Sequence, residues 1–409
     1  MIDYYETKGH PITRKMVWEA YKKVKSKGGS AGIDEQSLEN YAVKLPENLY
    51  KLWNRMSSGS YFPLPVKEVK IPKSSGGSRT LGIPTVEDRI AQQVVKSYLE
   101  PKVDSSFHPD SYGYRPGRNA HQAISSAASR CASYYSWVVD LDIKGFFDNL
   151  DHELMMKALQ YYTTEKWVLL YVERWLKTGT EGKAGIETRK KGTPQGGVIS
   201  PLLANIFLHF GFDKWMERTY PYIRFERYCD DLIIHAQTEK QAEFIKDKIS
   251  QRLKECKLEL NEGKTHIVYC RNEHHRERHG LVQFDFLGYT FRPRYCPTQK
   301  GLQLMFSPCM SARAKVKVLE AIRKMNIKRL KVSIQELAKI LNPKIRGWIN
   351  YYCAVNKWTT VGVWWRLHQR IVRWVMKIRK KSKTSAVKWL KEIYKSQPTL
   401  FAHWQLQRP

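Results

Sequence analysis

Two short acidic segments, each set in apolar, strand-like sequence, constrain this chain most strongly. The first spans residues 138–143 (VVDLDI) and the second spans residues 227–234 (RYCDDLII). A charged carboxylate among buried strand residues destabilises the fold by its loss of hydration, unless it is paired, hydrogen-bonded or bound to a metal ion. The fold therefore has to give these aspartates partners.

The spacing of the aspartates predicts a shared site. The period of two in a strand places Asp140 and Asp142 on one face, opposite the apolar residues beside them. Asp230 and Asp231 fall where a tight hairpin turn is predicted, because Asp favours turns and the flanks are strand-like. Taken alone, the Asp-Asp pair also fits a solvated turn, and Asp140 fits a strand-end residue. Three carboxylates gathered from the two segments would hold two Mg²⁺ ions about 3.5–4 Å apart, as phosphoryl transfer requires.

The charge of the chain indicates a polyanionic partner. Its 409 residues contain 70 Lys and Arg against 39 Asp and Glu, which gives a net charge of +31. Residues 311–409 alone carry 24 basic and three acidic residues, and they contain seven of the 13 tryptophans. Such an uncompensated region predicts binding to nucleic acid.

The same basic region predicts helices. Apolar residues recur at helical spacing between residues 316 and 341, and Asn342-Pro343 predicts a break between two helices. A solvated surface over an aromatic core would explain the basic residues that follow, but the net charge of the region favours a nucleic-acid-binding surface. Four basic residues at spacings of three and four share one predicted helix face: Arg366, Arg370, Arg373 and Lys377.

Several classes of protein are not expected. No stretch approaches the roughly 18 uncharged apolar residues of a membrane span, and the first residues do not have the pattern of an export signal. The seven cysteines are odd in number and form no CxxC pair. This usage predicts reduced thiols in the cytoplasm and argues against a zinc ribbon or a disulfide framework.

Strands and helices alternate in the rest of the chain, which predicts an α+β body. The composition changes near residue 310, which predicts a domain boundary. The predicted elements are a hairpin over 66–83 with a Gly-rich turn, helices over 88–98, 152–162, 201–210 and 239–256, strands over 137–143 and 284–291, and a hairpin over 223–235.

Further motifs stand in a fixed order along the chain: 71–84 (IPK to GIP), 111–117 (SYGYRPG), 142–148 (DIKGFFD), 192–201 (GTPQGGVISP), 228–231 (YCDD), 263–264 (GK), 286–289 (FLGY) and 342–352 (NPKIRGW to NYY). In these motifs the chain resembles the bacterial reverse transcriptases of the group II intron type. It is most similar to the freestanding, defence-associated members.

The resemblance implies a right-hand polymerase fold. Residues 1–135 would form an N-terminal extension and the fingers, residues 136–305 the palm, and residues 306–409 an all-α basic thumb. It also implies an RNA-directed DNA polymerase that uses two Mg²⁺ ions. Its partners would be an RNA template, dNTPs and the cDNA product, with no membrane.

The resemblance also assigns catalytic roles. The metal-binding triad of the family falls on Asp142, Asp230 and Asp231, the three residues reached from the strand pattern. Lys264 is expected to protonate the pyrophosphate leaving group as a general acid, although a simple loop lysine is the alternative. Arg346, in the region similar to the thumb, is expected to contact nucleic acid.

Four further residues are expected to bind the incoming nucleotide. Lys73 and Arg79 flank the Gly-rich turn and would hold its triphosphate, the alternative being exposed turn charges. Phe147 would act as a gate against the 2′-OH of a ribonucleotide, and it can pack in the core at the same time. Gln195 and the glycines after it would allow a close approach of the backbone to template and nucleotide.

Two departures from the family pattern affect the expected function. Cys229 stands where alanine is usual, and a small residue there should preserve the turn. No Cys/His nuclease motif follows the basic helices, so we expect a freestanding enzyme that copies a cognate structured noncoding RNA in anti-phage defence. The alternative is a group II intron maturase that acts in intron splicing and mobility. RNA-directed RNA synthesis is disfavoured by Phe147.

Overall fold

The structure, a computed structural model, describes residues 9–72, 78–132, 134–182, 185–277, 279–299 and 301–409. Lys73, which is predicted to bind a triphosphate, lies outside the described residues. The backbone of Arg79 is described, and its side chain is not.

Helices account for most of the described chain, and many begin at a Ser, Thr or Asp whose side chain accepts a backbone N–H, as at Thr85, Ser311 and Ser333. The fifteen α-helices of the described residues are α1 (Arg14–Lys27), α2 (Leu38–Val43), α3 (Leu45–Ser57), α4 (Val86–Asp104), α5 (Ala120–Ala132), α6 (Phe146–Asn149), α7 (His152–Gln160), α8 (Lys166–Lys177), α9 (Ser200–Leu208), α10 (Lys214–Thr219), α11 (Glu239–Glu255), α12 (Ala312–Lys324), α13 (Ile334–Asn356), α14 (Val361–Arg379) and α15 (Lys383–Ser396).

The strands form three sheets. Their orders are β2-β1-β4-β5, β6-β7-β3-β8 and β11-β10-β9. The described strands are β1 (Val66–Pro72), β2 (Ser78–Ile83), β3 (Trp137–Asp142), β4 (Thr180–Gly182), β5 (Gly185–Glu187), β6 (Phe225–Tyr228), β7 (Asp231–Ala236), β8 (His266–Tyr269), β9 (Phe284–Phe286), β10 (Tyr289–Thr298) and β11 (Gly301–Met310). The predicted hairpins at β1–β2 and β6–β7 are confirmed, because both pairs are antiparallel.

The chain divides into two compact units. The first combines the segments up to Asn119, Val139–Ile234 and Lys240–His266. Its core includes α9, in which every residue except Pro201 is buried. No amphipathic stripe is needed in such a helix, since it packs on all sides.

The second unit combines Ala120–Val138, His235–Glu239 and Ile267–Pro409. From Ala312 onward it is entirely helical among the described residues, as predicted for the basic region. Its helices bury large side chains such as Trp364, Leu367 and Trp404 in one core. No described helix is both long enough and apolar enough to cross a membrane.

Two predicted element boundaries were wrong. Helix α13 continues through Pro343, because Leu337, Leu341 and Ile345 lie on one buried face and packing outweighs the lost backbone hydrogen bond. The predicted strand over 284–291 is instead a hairpin in which Leu287 and Gly288 turn with positive φ angles of 49° and 81°.

A buried carboxyl group ties α4 to its neighbours in the first unit. Asp88 is 1% exposed and accepts hydrogen bonds from the Tyr61 hydroxyl at 2.5 Å and from the Trp175 indole at 3.1 Å. Burial outweighs these hydrogen bonds and raises the pKa of Asp88 from 3.8 to about 7.

Asp88→Asn should therefore change the pH dependence of stability while keeping the acceptor for both donors. Stability contributed by protonated Asp88 is fully present below pH 3.8 and is lost as the pH rises through about 7. Between pH 5 and pH 9 we expect the wild type to lose about 2–3 kcal/mol more unfolding free energy than the variant. Urea denaturation of both proteins measures the difference, and parallel losses would contradict the raised pKa.

Candidate functional site

The two acidic segments meet at one edge of the β6-β7-β3-β8 sheet. Ser136, just before β3, donates a hydrogen bond to the carbonyl of Gln237, just after β7, at 2.9 Å. The start of β3 thus lies beside the end of β7, so these neighbouring strands are antiparallel. Asp142, the last residue of β3, and Asp231, the first of β7, consequently lie at the same edge.

The acidic turn itself consists of Cys229 and Asp230, between the paired residues Tyr228 and Asp231. Cys229 has a φ of 60°, in the left-handed region that a two-residue hairpin turn requires at this position. Its side chain is only 3% exposed, and burial raises the pKa of the thiol well above its ordinary value. Asp230 is half-buried and Asp231 is exposed, which presents the carboxylates outward from a buried base.

Gly113 supports this turn from below through close backbone contact. A Cβ atom at Gly113 would lie 2.5 Å from the Cys229 nitrogen and 2.9 Å from the Tyr228 carbonyl carbon. The segment is fixed there because the Tyr112 N–H donates to the Arg227 carbonyl at 2.8 Å. Only glycine fits this contact, which explains in physical terms why Gly113 is the first glycine of the 111–117 motif.

A buried ion pair holds the same turn from the inside. The Arg227 guanidinium donates to both carboxylate oxygens of Asp213, at 2.7 and 2.6 Å, and both side chains are fully buried. Burial alone would raise the pKa of Asp213, but the charge of Arg227 holds it below its usual value. The pair is bidentate, the geometry in which Arg binds a carboxylate most strongly.

The remaining donor of Arg227 reaches the acidic turn directly. Its Nη1 donates to the Cys229 carbonyl at 3.2 Å and to the Asn205 side-chain oxygen at 2.9 Å. The Asn205 amide in turn donates to the Gly113 carbonyl at 2.8 Å. One network therefore fixes both the turn and the segment that supports it.

The sequence analysis did not identify the roles of Arg227 and Asp213. Two signals were available. Arg227 is a charged residue at a strand position, three residues before the Asp-Asp pair. Asp213 ends the apolar run that follows α9, where the helix widens into a π turn over His209–Asp213. Neither signal predicts that the two residues pair, because 14 residues separate Arg227 from Asp213 in the sequence.

Lys264 lies beside the first aspartate, as its predicted role requires. Its ammonium nitrogen is 3.6 Å from Oδ2 of Asp142, and the two side chains are 58% and 35% exposed. The turn that carries Lys264 is anchored to the end of β3, since the Asn261 N–H donates to the Asp142 carbonyl at 2.8 Å. The structure thus brings Asp142, Asp230, Asp231 and Lys264 to one edge.

The donor set of this edge suits Mg²⁺, which prefers carboxylate oxygens. Within the described ranges, no three His, Cys, Asp or Glu side chains are gathered closely enough to hold a metal ion. Mg²⁺ sites of this class use one or two carboxylates together with substrate phosphates, so a preformed protein cage is not required. The residues present therefore fit the predicted ion.

The 192–197 loop packs against the chain at Phe147 and Asp148. The Phe147 carbonyl accepts the Thr193 N–H at 2.7 Å, and the half-buried Phe147 ring packs on Phe146 at 5.4 Å. Gly192 has a φ of 79°, and a Cβ there would lie 2.7 Å from the Asp148 carbonyl oxygen. Glycine is therefore needed at position 192, because the loop approaches the backbone of Phe147 and Asp148 too closely for a side chain.

Gln195 connects this loop to the β1–β2 hairpin. Its carbonyl accepts the Gly82 N–H at 2.9 Å, and its side-chain amide donates to Asp148 at 3.3 Å. A cavity of about 920 Å³ opens beside them. Its lining includes the bases Lys67, Lys70 and Arg189 and the acids Glu68, Asp148, Glu181 and Glu187.

Arg189 in this cavity was not predicted. Its Nη2 donates to the Thr180 hydroxyl at 2.7 Å, and its buried Nε has no hydrogen-bond partner. Burial lowers the pKa of its guanidinium. The only sequence signal was its place in the basic run 189–191.

The predicted nucleic-acid-binding residues lie in the second unit. Arg366, Arg373 and Lys377 are exposed on α14 and Arg370 is half-buried, whereas Val375 on the other side of the helix is buried. Arg346 is exposed on α13. The structure thus confirms that the four residues of α14 share a polar face.

Comparisons with known proteins identify sequences that are similar to this chain. Residues 71–291 match the family described as reverse transcriptase (RNA-dependent DNA polymerase), and residues 316–394 match the group II intron, maturase-specific domain. Protein YkfC of Escherichia coli K12 is 32% identical over 282 residues, which cover 60% of this chain and 74% of that protein.

A second relative is the group II intron-encoded protein LtrA of Lactococcus lactis subsp. cremoris. It is 32% identical over 246 residues, which cover 59% of this chain and 39% of LtrA. Among solved structures, a telomerase from Candida albicans aligns with 91% of this chain and 69% of its own, at 12% identity and a TM-score of 0.48.

Gly113→Ala tests the close support of the acidic turn. The added methyl group would overlap backbone atoms of Tyr228 and Cys229, so we expect a loss of about 1–3 kcal/mol in unfolding free energy. Gly280→Ala is the matched control, since no atom lies within 4 Å of a Cβ there. Thermal unfolding compares the two variants, and equal midpoints would contradict the contact.

Proposed function

Because the chain belongs to the family of reverse transcriptases (RNA-dependent DNA polymerases), we propose that it copies an RNA template into cDNA at the edge formed by Asp142, Asp230 and Asp231. The family match confirms the predicted α+β polymerase fold and the predicted enzyme class. The observation that supports this site best is the meeting of Asp142 and Asp231 at one edge, with Lys264 at 3.6 Å from Asp142.

Asp142, Asp230 and Asp231 would hold Mg²⁺ together with the phosphates of the substrate, and the bound ion would activate an attacking 3′-hydroxyl and neutralise charge on the leaving pyrophosphate. The Lys264 ammonium lies 3.6 Å from Asp142 and would donate a proton to the leaving pyrophosphate. The buried Arg227–Asp213 pair keeps the turn in place during turnover.

The incoming dNTP would enter the cavity beside Gln195. Lys67, Lys70 and Arg189 would pair with phosphate oxygens there, beside four acidic residues that line the same cavity, and Lys73 and Arg79 stay proposed triphosphate ligands. Phe147 is held by the Thr193 contact and would stand against a ribose 2′-OH. The site would therefore select deoxyribonucleotides, because the Phe147 ring would exclude the 2′-OH of a ribonucleotide.

For the RNA partner, the match to the maturase-specific domain at residues 316–394 favours a group II intron role. YkfC and LtrA are relatives of this chain, and LtrA is named as a group II intron-encoded protein. The defence role with a cognate noncoding RNA stays a second proposal, suggested by motif resemblance.

The cysteines, all unpaired in the structure, support a cytoplasmic location.

Sequencing of the RNA and cDNA that copurify with the protein distinguishes these two roles. Enrichment of a spliced intron and its flanking exons would support the maturase role. Enrichment of a separately transcribed structured RNA with matching cDNA, increasing on phage infection, would support the defence role and contradict the other.

A double variant, Asp230→Asn with Asp231→Asn, should abolish dNTP incorporation. Loss of several kcal/mol of metal-dependent stabilisation corresponds to a rate reduction of about 10³-fold or more. Primer extension on an RNA template measures the rate, and filter binding should show unchanged RNA affinity. Asp247→Asn, an exposed change on α11, is the control. Full activity of the double variant would refute the metal assignment.

The basic face of α14 should make RNA binding sensitive to salt. Replacing Arg366, Arg373 and Lys377 by Gln should flatten the log–log salt dependence of RNA affinity by about 0.7–0.9 for each phosphate contact removed. A control triple variant changes Lys22, Lys51 and Lys177 to Gln, because each of these is paired with a Glu in the first unit. Identical slopes for the two variants would contradict the proposed face.

A further inference from the structure

We propose that Trp358 and Trp365 form stacking positions for unpaired bases of RNA on the second unit. The inference rests on the proposed function because it requires that the chain binds RNA. It adds an interaction surface, called here the tryptophan pair, that differs from the acidic edge and from the polar face of α14.

The tryptophan pair is exposed to an unusual degree. Trp358 is 72% exposed and Trp365 is 51% exposed, the two highest values among described tryptophans. Val355 nearby is 40% exposed. Buried indoles dominate cores and interfaces, so two exposed indoles on one helix junction indicate a surface that a ligand covers.

The junction between α13 and α14 holds the pair in place. Thr360 is fully buried, donates to the Lys357 carbonyl at 2.6 Å and accepts the Trp364 indole N–H at 2.8 Å. Trp364 is 1% exposed and anchors the start of α14. The neighbouring indole, Trp365, consequently points away from that core, and the fixed turn displays Trp358.

Charge around the pair favours nucleic acid as its ligand. The Lys357 ammonium lies 5.3 Å from the centre of the Trp358 ring, and Arg366 is exposed next to Trp365. No Asp or Glu occurs between Glu336 and Glu392. A polyanion gains from a segment that is free of acidic residues, whereas a protein partner of mixed charge gains less.

The aromatic rings specify unpaired bases in particular. In a duplex the faces of the bases are stacked on one another and are not available to a side chain. In single strands an indole can take the place of a neighbouring base, and Arg or Lys beside it contacts the phosphate. The tryptophan pair would therefore bind a loop, a bulge or a single-stranded end of the RNA.

The test compares two RNA probes of equal phosphate number, a single-stranded oligoadenylate and a perfectly paired hairpin stem. Fluorescence anisotropy measures the affinity of the full chain for each, at two salt concentrations. Trp358→Ala and Trp365→Ala should each weaken binding of the single strand about five- to 150-fold. Binding of the stem should change less than twofold, and the salt slope should stay the same.

Conservative and surface controls complete the design. Trp358→Phe should restore most of the affinity for the single strand, since a phenyl ring also stacks. Tyr222→Ala removes an 88% exposed aromatic of the first unit and should leave both affinities unchanged. Equal weakening of both probes, or unchanged binding of the single strand, would overturn the proposal and favour a protein partner.

This outcome can be separated from failure of the proposed function. Primer extension by the wild type reports polymerase activity independently of the two probes. An active polymerase whose tryptophan variants bind the single strand normally would refute the stacking positions alone. An inactive protein with the expected binding loss would refute the polymerase assignment alone.

Discussion

Arg227 and Asp213 bury a full positive and a full negative charge, and the acidic turn of the first unit depends on both. Desolvating two charges is repaid only when their geometry is good and the remaining polar atoms are satisfied. Here the pair is bidentate, and the spare guanidinium nitrogen is shared between Asn205 and the Cys229 carbonyl. Removing either partner would leave an unpaired buried charge, at a cost of about 3–5 kcal/mol.

This network explains how exposed carboxylates can be positioned accurately. Asp230 and Asp231 stand on a two-residue turn, a short element that would otherwise be variable. Gly113 contacts its backbone from one side and Arg227 from the other, so the turn has little freedom. The site can therefore present charge to solvent without being flexible, which suits catalysis by electrostatic preorganisation.

Local sequence signals predicted much of this site. The alternation in residues 138–143 located Asp142 on a strand, the Asp-Asp signal located Asp230 and Asp231 at a hairpin turn, and the hairpins were confirmed. Pairings between distant residues could not be predicted, because nothing in the local pattern links Arg227 to Asp213 or Arg189 to Thr180.

Where the sequence misled, tertiary packing outweighed a local preference. Pro343 disfavours a helix by removing one hydrogen bond, but the buried face of α13 and the bonds from Asn342 to the backbone of Leu400 and Ala402 keep the helix intact. The turn at Leu287-Gly288 lacks the Asn-Gly or Asp-Gly signal of a hairpin. Its tight geometry is supported instead by the Tyr351 hydroxyl, which donates to the Leu287 carbonyl at 2.8 Å.

The central claim is that the carboxylate edge is a polymerase site. The most direct measurement is extension of a DNA primer on an RNA template of mixed sequence by the purified wild-type chain, with dNTPs and Mg²⁺. The account predicts DNA complementary to the template and ending at its 5′ end, with no product when EDTA is present. Absence of any template-directed product under conditions in which the chain is folded and binds the RNA would contradict it.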